Sequence, residues 1–329
     1  MKRKNDNSKS IEAVPAEALF KQKTLTGNVD VRVDGSILSL THLDKVYWPD
    51  DGYTKGDLLK YYFNVAEYNL PYLKDRPLIL KRFPNGIAAQ PFFQHDLENH
   101  PDFVETVALD MEVGHTVHYA VCNNLASLLY LANLGTIPQN PWMSRTDDVH
   151  KPDWIALDLD PKKTDFTVVC EVAVTIKALL DDLGLKAYPK TSGSSGIHIY
   201  IPIKRAYDFD QTVSFADMIA TVISNENPQI ATRERMPAKR KKGQVYVDHL
   251  QNSYGKSIAG PYSVREKPGA PVSAPLEWDE VEKAKISIRD FTIETMPKRL
   301  ARIGDLFKAV LNGKQSLERA TEKIKRRLH

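Results

Sequence analysis

One short apolar run in this sequence of 329 residues carries two acids: Trp154-Ile155-Ala156-Leu157-Asp158-Leu159-Asp160-Pro161. The run is bounded by Pro152 and Pro161, and its length and composition predict a buried strand. Side chains alternate between the faces of a strand, so Asp158 and Asp160 point the same way. Neighbouring carboxylates that lose hydration repel each other, and a divalent cation is the simplest compensation. The same spacing also fits exposed acids at a strand end, and spacing by itself leaves both interpretations open.

The composition is that of an ordinary globular protein. With 42% hydrophobic and 26% charged residues, the chain can bury one large core or two modest ones. Its two cysteines, Cys122 and Cys170, lie in apolar segments without metal-ligand spacing, which favours core positions in a reducing compartment. No apolar run reaches the roughly 18 residues of a membrane span, and no signal-peptide core is present. We therefore expect a cytoplasmic protein without a membrane partner.

The basic residues are clustered although the net charge is only +3. The clusters lie at residues 2–4, 81–82, 239–242 and 323–327. Such clusters permit contact with nucleic acid, but a run of charge is more often a solvated face.

Hydrophobic periodicity and turn residues predict a mixed α/β (α+β) fold. The Asp34-Gly35 pair predicts a hairpin over 29–40 with a type I′ turn. Thr54 is a candidate N-cap for a helix to about Asn69, ended by Pro71. From residue 154 onward, the order β-α-β-β-α-β is typical of an RRM-like or ferredoxin-like antiparallel sheet with helices on one face.

The element predictions divide the chain. Strands are expected at 77–83, 103–107, 115–121, 186–190, 197–203 and 244–248, and helices at 123–134, 165–183, 210–224, around Trp278 and from about 297 to 327. The predicted organisation is a flexible tail at 1–25, a domain at 26–295 and a basic helical tail at 296–329. Within the domain, a smaller N-terminal sub-region at 26–150 precedes a catalytic core at 151–295, and the aperiodic segment 141–153 is a candidate linker.

Two further motifs accompany the paired acids. The segment Thr191–His198 contains glycines and hydroxyls between two predicted strands, and its backbone N–H groups are candidates for binding phosphate oxygens. A Ser/Gly loop is, however, most often a plain connection. The strand 245–248 ends in Asp248, a third carboxylate, which is equally compatible with a cap for the next turn. Three acids from two strands suit a two-metal nucleotidyl-transfer site, in which the ions lie roughly 3.5–4 Å apart.

The order of these motifs resembles the archaeo-eukaryotic primase superfamily. Within it, the chain closely resembles the polymerase domain of LigD-type DNA ligases of prokaryotic non-homologous end joining, from about Leu40 to Trp278. The residues that carry the resemblance are Leu43-Asp44-Lys45-Val46, Thr54-Lys55-Gly56-Asp57, residues 80–86, Pro91-Phe92-Phe93-Gln94, Asp158-Leu159-Asp160-Pro161, Thr191 to His198, residues 248–252 and residues 261–265.

The resemblance implies roles for individual residues. Asp158, Asp160 and Asp248 would hold two catalytic ions, Mn²⁺ or Mg²⁺, with Mn²⁺ commonly favoured in the family. The residues implied to bind the incoming nucleotide are Ser192, Gly196, His198, Lys81, Gln251, Arg265 and Asn140.

The resemblance also implies how DNA is held. Lys45 and Lys55 match lysines that grip a 5′-phosphate on the downstream side of a gap or break. Phe92 and Phe93 match an aromatic pair that stacks on template bases, which agrees with the physics of base–aromatic stacking. Without the resemblance, two solvated lysines and core-packed aromatics are the ordinary interpretations.

Two positions depart from the family pattern. Many relatives have Lys at the position of Ser195, so one positive contact to the triphosphate is absent, and Lys190 or Lys241 is a candidate to supply it. Many relatives also have His near Asn140, and an amide can hydrogen-bond a phosphate or sugar oxygen but carries no charge.

The implied function is extension of 3′ ends and filling of gaps at double-strand breaks, with a preference for ribonucleotides. The expected partners are DNA ends and gaps with a 5′-phosphate, ribo- and deoxyribonucleoside triphosphates, a Ku-like end-binding protein and a separate ATP-dependent DNA ligase. We expect the chain to be a stand-alone polymerase that works with these partners at the nucleoid. Two alternatives stay open: a primase that starts chains without a primer, and a catalytically weak module that bridges DNA ends.

Overall fold

The structure is a computed structural model that describes residues 13–110, 114–161 and 164–328. The strands in these ranges are β1 (Val14–Pro15), β2 (Val29–Val33), β3 (Ser36–Leu40), β4 (Val46–Trp48), β5 (Tyr53–Thr54), β6 (Pro77–Leu78), β7 (Leu80–Arg82), β8 (Phe92–Gln94), β9 (Glu105–Asp110), β10 (Thr116–Val121), β11 (Ser144–Arg145), β12 (Asp148–Pro152), β13 (Trp154–Pro161), β14 (Tyr188–Thr191), β15 (Ile197–Pro202), β16 (Ala231–Thr232) and β17 (Val245–Asp248). The α-helices are α1 (Ala16–Phe20), α2 (Lys55–Leu73), α3 (Leu125–Asn133), α4 (Phe166–Asp182), α5 (Phe209–Glu226), α6 (Trp278–Lys283), α7 (Met296–Ile303) and α8 (Glu318–Leu328).

A five-stranded sheet with the order β14-β15-β13-β17-β16 forms the centre of the fold. The strand β13 is its middle strand and pairs antiparallel with β15 on one side and β17 on the other. The short strand β16 adds a parallel edge. The helices α4 and α5 contact each other and pack on β13 and β17, so they cover one face. The mixed α/β fold with an RRM-like antiparallel sheet is therefore confirmed.

Most of the turn and helix-cap predictions for the N-terminal half are also confirmed. Strands β2 and β3 form the predicted hairpin, and both Asp34 (φ 50°) and Gly35 (φ 80°) adopt the left-handed backbone of a type I′ turn. Thr54 caps α2 by accepting from the Asp57 N–H, and the Asp57 carboxylate accepts from the Thr54 N–H. The prediction that Pro71 ends this helix is wrong. Pro71 lies in the last turn, where its missing N–H removes one hydrogen bond to the Glu67 carbonyl, and the helix nevertheless continues to residue 73.

Residues 13–25 do not form the predicted flexible tail. The strand β1 extends the first hairpin by pairing with β2, and α1 buries Leu19 and Phe20. The Phe20 ring stacks on Phe63 of α2 with ring centroids 4.6 Å apart. A few apolar anchors in a polar segment are thus enough to dock it. The rest of the predicted tail, residues 1–12, lies outside the described residues.

The C-terminal segment is helical but is not a tail. The single helix predicted from about 297 to 327 is interrupted after Ile303 by Gly304, and α8 follows after a short 3₁₀ turn. Phe307 and Ile324 are fully buried. The Asp305 carboxylate accepts hydrogen bonds from the hydroxyls of Tyr72 and Tyr262, which ties this segment to α2.

The predicted linker at 141–153 is part of the packed structure. Trp142 and Met143 are buried, and β11 and β12 form a hairpin. The buried Arg76 lies 3.3 Å from the ring centroid of Trp154 and donates to the Asp153 carboxylate at 2.7 Å. A continuous hydrophobic core that includes Met143 joins the two predicted sub-regions across this segment, while Trp142 packs in a smaller separate cluster with Ile79 and Tyr119.

Candidate active site

The carboxylates of the candidate site are brought together by strand register. In the sheet, Asp158 of β13 lies directly opposite Asp248 of β17 and directly opposite His198 of β15. Asp160, two residues further along β13, is paired with Tyr246. The prediction that Asp158 and Asp160 share a face is confirmed, and the register adds the third acid to them.

The electrostatics of Asp158 reflect this crowding. Burial, followed by the charges of Asp248 and Asp160, raises the pKa of Asp158 to about 7, although Arg265 and Lys190 act in the opposite direction. A carboxyl group whose charged form is disfavoured by its neighbours gains most from a cation. Asp158 is therefore the member of the group with the largest electrostatic need for a metal ion.

The three carboxylates are not grouped around one position where a metal ion could bind all of them. Asp160 accepts from Arg240 Nη1 at 3.0 Å, whereas Asp248 accepts from the Tyr246 hydroxyl, the Leu250 N–H and Gln251 Nε2. Accordingly, no three His, Cys, Asp or Glu side chains in the described ranges are gathered closely enough to hold a metal ion. The donor set nevertheless fits Mg²⁺ or Mn²⁺, because it consists of hard carboxylate oxygens and the pKa of Asp158 is raised.

His198 stands between an acid and a base. Its Nε2 lies 3.4 Å from Asp158 Oδ1, and its Nδ1 lies 2.7 Å from the Nζ of Lys190. Lys190 is fully buried behind the ring. Lys190 is not among the residues that line the adjacent cavity, so the prediction that it replaces the missing triphosphate contact is wrong. Lys241 is exposed and stays a candidate for the missing triphosphate contact.

The Ser/Gly loop is organised by Ser192. Its hydroxyl oxygen accepts from the N–H groups of Ser194, Ser195 and Gly196 at 3.0–3.2 Å, so these three donors are already used within the loop. The Ser192 carbonyl accepts from Arg265 Nη1 at 2.6 Å. A Cβ on Gly196 would lie 1.9 Å from the Leu159 carbonyl oxygen, so close approach to β13 by itself requires glycine there. Nucleotide contacts by Ser192 and Gly196 stay predictions.

A cavity of about 230 Å³ opens beside Asp158 and His198. Its other lining residues include Lys81, Phe93, Asn140, Gln251, Arg265 and Glu266. Five residues predicted to bind nucleotide thus line one cavity: Lys81, Asn140, His198, Gln251 and Arg265. The Lys81 ammonium donates to the Glu266 carboxylate at 2.5 Å, and the Asn140 amide donates to the Ile79 carbonyl at 3.3 Å. A larger cleft of about 520 Å³ between α5 and α8 contains none of the predicted site residues.

The aromatic pair lies on the hairpin of β7 and β8. Phe92 is 45% exposed and Phe93 is 63% exposed, so neither is packed in the core. The Arg82 guanidinium lies 5.1 Å from the Phe92 ring centroid, and Lys81 Nζ lies 5.8 Å from that of Phe93. Two exposed rings backed by cations can stack on bases.

The two lysines predicted to bind a 5′-phosphate are brought together. The Lys55 N–H donates to the Lys45 carbonyl at 2.8 Å, at the start of α2. Lys55 Nζ donates to the Thr41 carbonyl, and Lys45 Nζ donates to the Pro84 carbonyl and the Asn85 amide oxygen. Burial, followed by the charge of Lys45, lowers the pKa of Lys55 to about 8. We refer to Lys45 and Lys55 as the lysine pair.

Sequence reasoning missed two residues at the site, Arg240 and Glu266. It also missed the structural role of Lys190. Arg240 belongs to the basic cluster 239–242, but a cluster does not indicate which member turns inward to Asp160. Glu266 directly follows Arg265, and its place in the cavity depends on Lys81, which is distant in sequence. No local pattern could have identified either contact.

An RRM-like sheet with carboxylates on its central strand, a Ser-Gly-His loop and an adjoining polar cavity define a domain of the primase-polymerase class. The family model described as LigD, primase-polymerase domain matches residues 54–307. The chain belongs to this family.

Curated relatives and a solved structure agree with this assignment. The chain is 35% identical over 270 residues to the bifunctional non-homologous end joining protein LigD of Bacillus subtilis and 32% identical over 273 residues to the multifunctional LigD protein of Mycolicibacterium smegmatis. Each match covers 81% of this chain but only 43% and 35% of those proteins, so the chain spans less than half the length of either.

One matching solved structure is the polymerase domain from Mycobacterium tuberculosis Ligase D in complex with DNA. It has a TM-score of 0.78 and 28% identity, and it covers 84% of this chain and 99% of the other. Across the described segments, no helix combines the length and apolarity required to cross a membrane.

Proposed function

We propose that the chain is a DNA-directed nucleotidyltransferase that extends 3′ ends and fills gaps at double-strand breaks in non-homologous end joining. The observation that carries the proposal is the register that places Asp158 between His198 and Asp248, beside a cavity lined by Lys81 and Arg265. This arrangement offers oxygen ligands on one side of a reacting phosphate and cations on the other. The relatives are non-homologous end joining proteins and the structural neighbour is in complex with DNA, which supports a role in end joining.

The chemistry assigned to the site is in-line attack of a 3′-hydroxyl on the α-phosphate of a nucleotide. Asp158, Asp160 and Asp248 would hold two Mn²⁺ or Mg²⁺ ions, and Asp160 would then exchange its contact with Arg240 for one with metal. Bound ions of this kind activate the attacking hydroxyl and neutralise charge on the departing pyrophosphate. His198 and Arg265 would orient the triphosphate, and Lys81 would join them when it leaves Glu266.

The DNA would be held at two other places. Phe92 and Phe93 are exposed and project no charge, which suits stacking on template bases. The lysine pair lies at the start of α2, where the helix dipole also favours an anion, which suits the terminal 5′-phosphate across a gap. The first three backbone N–H groups of the helix already donate to Lys45, Leu43 and Thr54, so the two ammonium groups would make the contact. A preference for ribonucleotides, cooperation with a Ku-like protein and a separate ligase, and action at the nucleoid are part of the same proposal.

Extension of a gapped duplex tests the proposal. The substrate carries a downstream 5′-phosphate or 5′-hydroxyl and is supplied in turn with ribo- and deoxynucleotides, with Mn²⁺, with Mg²⁺ and with chelator. We expect metal-dependent addition, stimulated by the 5′-phosphate and faster with ribonucleotides.

Two other results would favour the alternatives. Dinucleotide synthesis from nucleotides and a template without primer would identify a primase. DNA binding with no incorporation under any metal condition would leave an end-bridging module. Equal incorporation by wild type and Asp158→Asn would contradict the placement of the active site.

A further inference from the structure

Lys190 is a buried cation for which the proposed reaction has no direct use. Its side chain is fully buried on β14, behind His198, and lies 5.5 Å above the Tyr200 ring. Burial, followed by the charge of Arg265, lowers the pKa of Lys190 well below its ordinary value, although Asp158 acts in the opposite direction. An ammonium group is costly to bury, and an apolar side chain of similar length would fill the same space without that cost.

Three polar atoms surround Lys190 Nζ. This nitrogen lies 2.8 Å from the Ala259 carbonyl, 2.5 Å from Ser273 Oγ and 2.7 Å from His198 Nδ1. The Ala259 carbonyl can only accept. Ser273 Oγ uses its own hydrogen to donate to the Thr191 carbonyl at 2.8 Å, so it also accepts from Lys190.

In its charged form, Lys190 has three hydrogens, and the one that Ala259 and Ser273 do not accept is directed at His198 Nδ1. A nitrogen that accepts a hydrogen bond carries no hydrogen in the neutral imidazole ring, so the ring hydrogen is placed on Nε2. Nε2 faces Asp158 Oδ1 at 3.4 Å, and His198 lines the cavity. The Nε2 hydrogen is thus directed at Asp158, in the wall of the cavity where a triphosphate would lie.

We propose that Lys190 is a positioning residue for His198: it holds the ring in place and keeps its hydrogen on Nε2, directed toward the nucleotide. The proposal rests on the proposed function, because it deepens the role of His198 in nucleotide binding. Register contributes to the arrangement, since Lys190 lies directly opposite His198 across β14 and β15. Lys190 acts through His198 and makes no contact with the substrate.

The first test uses the wild-type protein without nucleotide. Nitrogen-15 NMR distinguishes the two neutral forms of an imidazole ring, and we expect His198 to carry its hydrogen on Nε2. In Lys190→Met this form should give way to a mixture, and in Lys190→Gln, whose amide can donate to Nδ1, it should be partly restored. A wild-type His198 with its hydrogen on Nδ1 would overturn the proposal, whatever the catalytic activity.

The second test asks whether Lys190 acts through His198. Lys190→Met should raise the apparent KM for nucleotide about tenfold or more with a smaller effect on kcat, as expected for loss of one charge-assisted contact. In the His198→Ala background the same substitution should have little further effect. An equal loss in both backgrounds would show that Lys190 only supports the fold and would overturn the proposal. Lys186→Met, at an exposed lysine that precedes β14 in the sequence, is the matched control.

The two tests separate failure of this inference from failure of the proposed function. A wild-type protein with no polymerase activity would contradict the proposed function, while its NMR spectrum would still report the position of the His198 hydrogen. If Lys190→Met does not fold, the wild-type spectrum and Lys190→Gln decide the question.

Discussion

The molecule contains two clusters of like charge in different parts of the fold, and they follow the same physics with opposite sign. Asp158, Asp160 and Asp248 gather negative charge on the central sheet, and burial raises the pKa of Asp158 to about 7. The lysine pair gathers positive charge at the start of α2, and burial lowers the pKa of Lys55 to about 8. In each cluster one group has a pKa shifted toward 7, because burial and neighbouring like charges disfavour its charged form. Each cluster is therefore suited to a ligand of the opposite sign.

The clusters differ in how they are held. The acids are positioned by the register of β13 with β17, so their backbones cannot separate without breaking the sheet. The lysines are positioned by a turn and by carbonyl acceptors such as those of Thr41 and Pro84. We infer that the acids serve a reaction that needs fixed geometry, whereas the lysines serve an affinity that tolerates adjustment.

The largest expected effect comes from removing a charge in the acidic cluster. Asp158→Asn should lower nucleotide incorporation roughly a thousandfold, because several kcal/mol of metal-supplied stabilisation are lost and each 1.4 kcal/mol corresponds to a factor of about ten. DNA affinity, measured by fluorescence anisotropy, should stay near wild type. Glu171→Gln, at an exposed acid of α4, is the control. More than a few per cent of wild-type incorporation in Asp158→Asn would contradict the assignment of Asp158 as a metal ligand.

The same substitution also tests the electrostatic cost of the cluster. The folded-state pKa of Asp158 is raised from 3.8 to about 7, so the metal-free folded protein binds a proton between pH 4 and 7 that the unfolded chain does not. The free energy of unfolding should consequently fall as the pH rises through this window. Asp158→Asn should lack that contribution and be more stable than wild type at pH 7.5 in chelator. If denaturant titrations give wild type and Asp158→Asn the same dependence of unfolding free energy on pH, the charged Asp158 carboxylate does not destabilise the metal-free protein.

The lysine pair should have the second largest effect. Lys45→Ala combined with Lys55→Ala should remove the preference for a gap with a 5′-phosphate over one with a 5′-hydroxyl. The preference should be about 10- to 100-fold, since hydrogen bonds between charged groups contribute about 1.5–3 kcal/mol. Lys21→Ala with Lys23→Ala, at two exposed lysines, provides the control in the same binding assay. Equal binding of both gaps by wild type would rule out the pocket.

The aromatic pair gives a smaller effect of another kind. Phe92→Ala with Phe93→Ala should weaken binding to a template overhang about tenfold, because base stacking contributes about 1–3 kcal/mol per base. Both rings are exposed, so the melting temperature should not change. The slope of affinity against salt should stay that of wild type, whereas removing the lysine pair should flatten it. Ile37→Ala, at an aliphatic residue that is 50% exposed, is the control. A changed salt slope in the Phe variant would contradict the separation of the two contacts.

The smallest expected effect is a pH dependence of 5′-phosphate binding. The pKa of Lys55 is about 8, so the fraction of charged Lys55 in the free protein falls between pH 7 and 9. A terminal phosphate has a second pKa near 6 and is already ionised there, so the change comes from the protein. The 5′-phosphate preference of wild type should decrease severalfold as the pH rises from 7 to 9, with uptake of a proton on binding. Lys55→Arg keeps its charge and should show little dependence, while a flat wild-type profile would exclude a role for Lys55 titration.

Local patterns in the sequence predicted a large part of this protein. The apolar run with Asp158 and Asp160 is a strand with both acids on one face, and the Asp34-Gly35 pair makes the turn of the first hairpin. Thr54 caps its helix as expected. These features depend on residues a few positions apart, where side-chain period and backbone preference act directly. The resemblance to a known family supplied the expected roles.

Tertiary structure decided the rest. Only the sheet register places Asp248 and His198 on either side of Asp158, and only packing buries Lys190, turns Arg240 to Asp160 and docks Phe20 and Phe307 at the two ends of the described chain. The pKa of Asp158 and that of Lys55 likewise depend on burial and on neighbouring charges. The physical reason is that pairing between strands and burial are non-local: they depend on residues 40 to 90 positions away in the case of Asp158, which no local period reports.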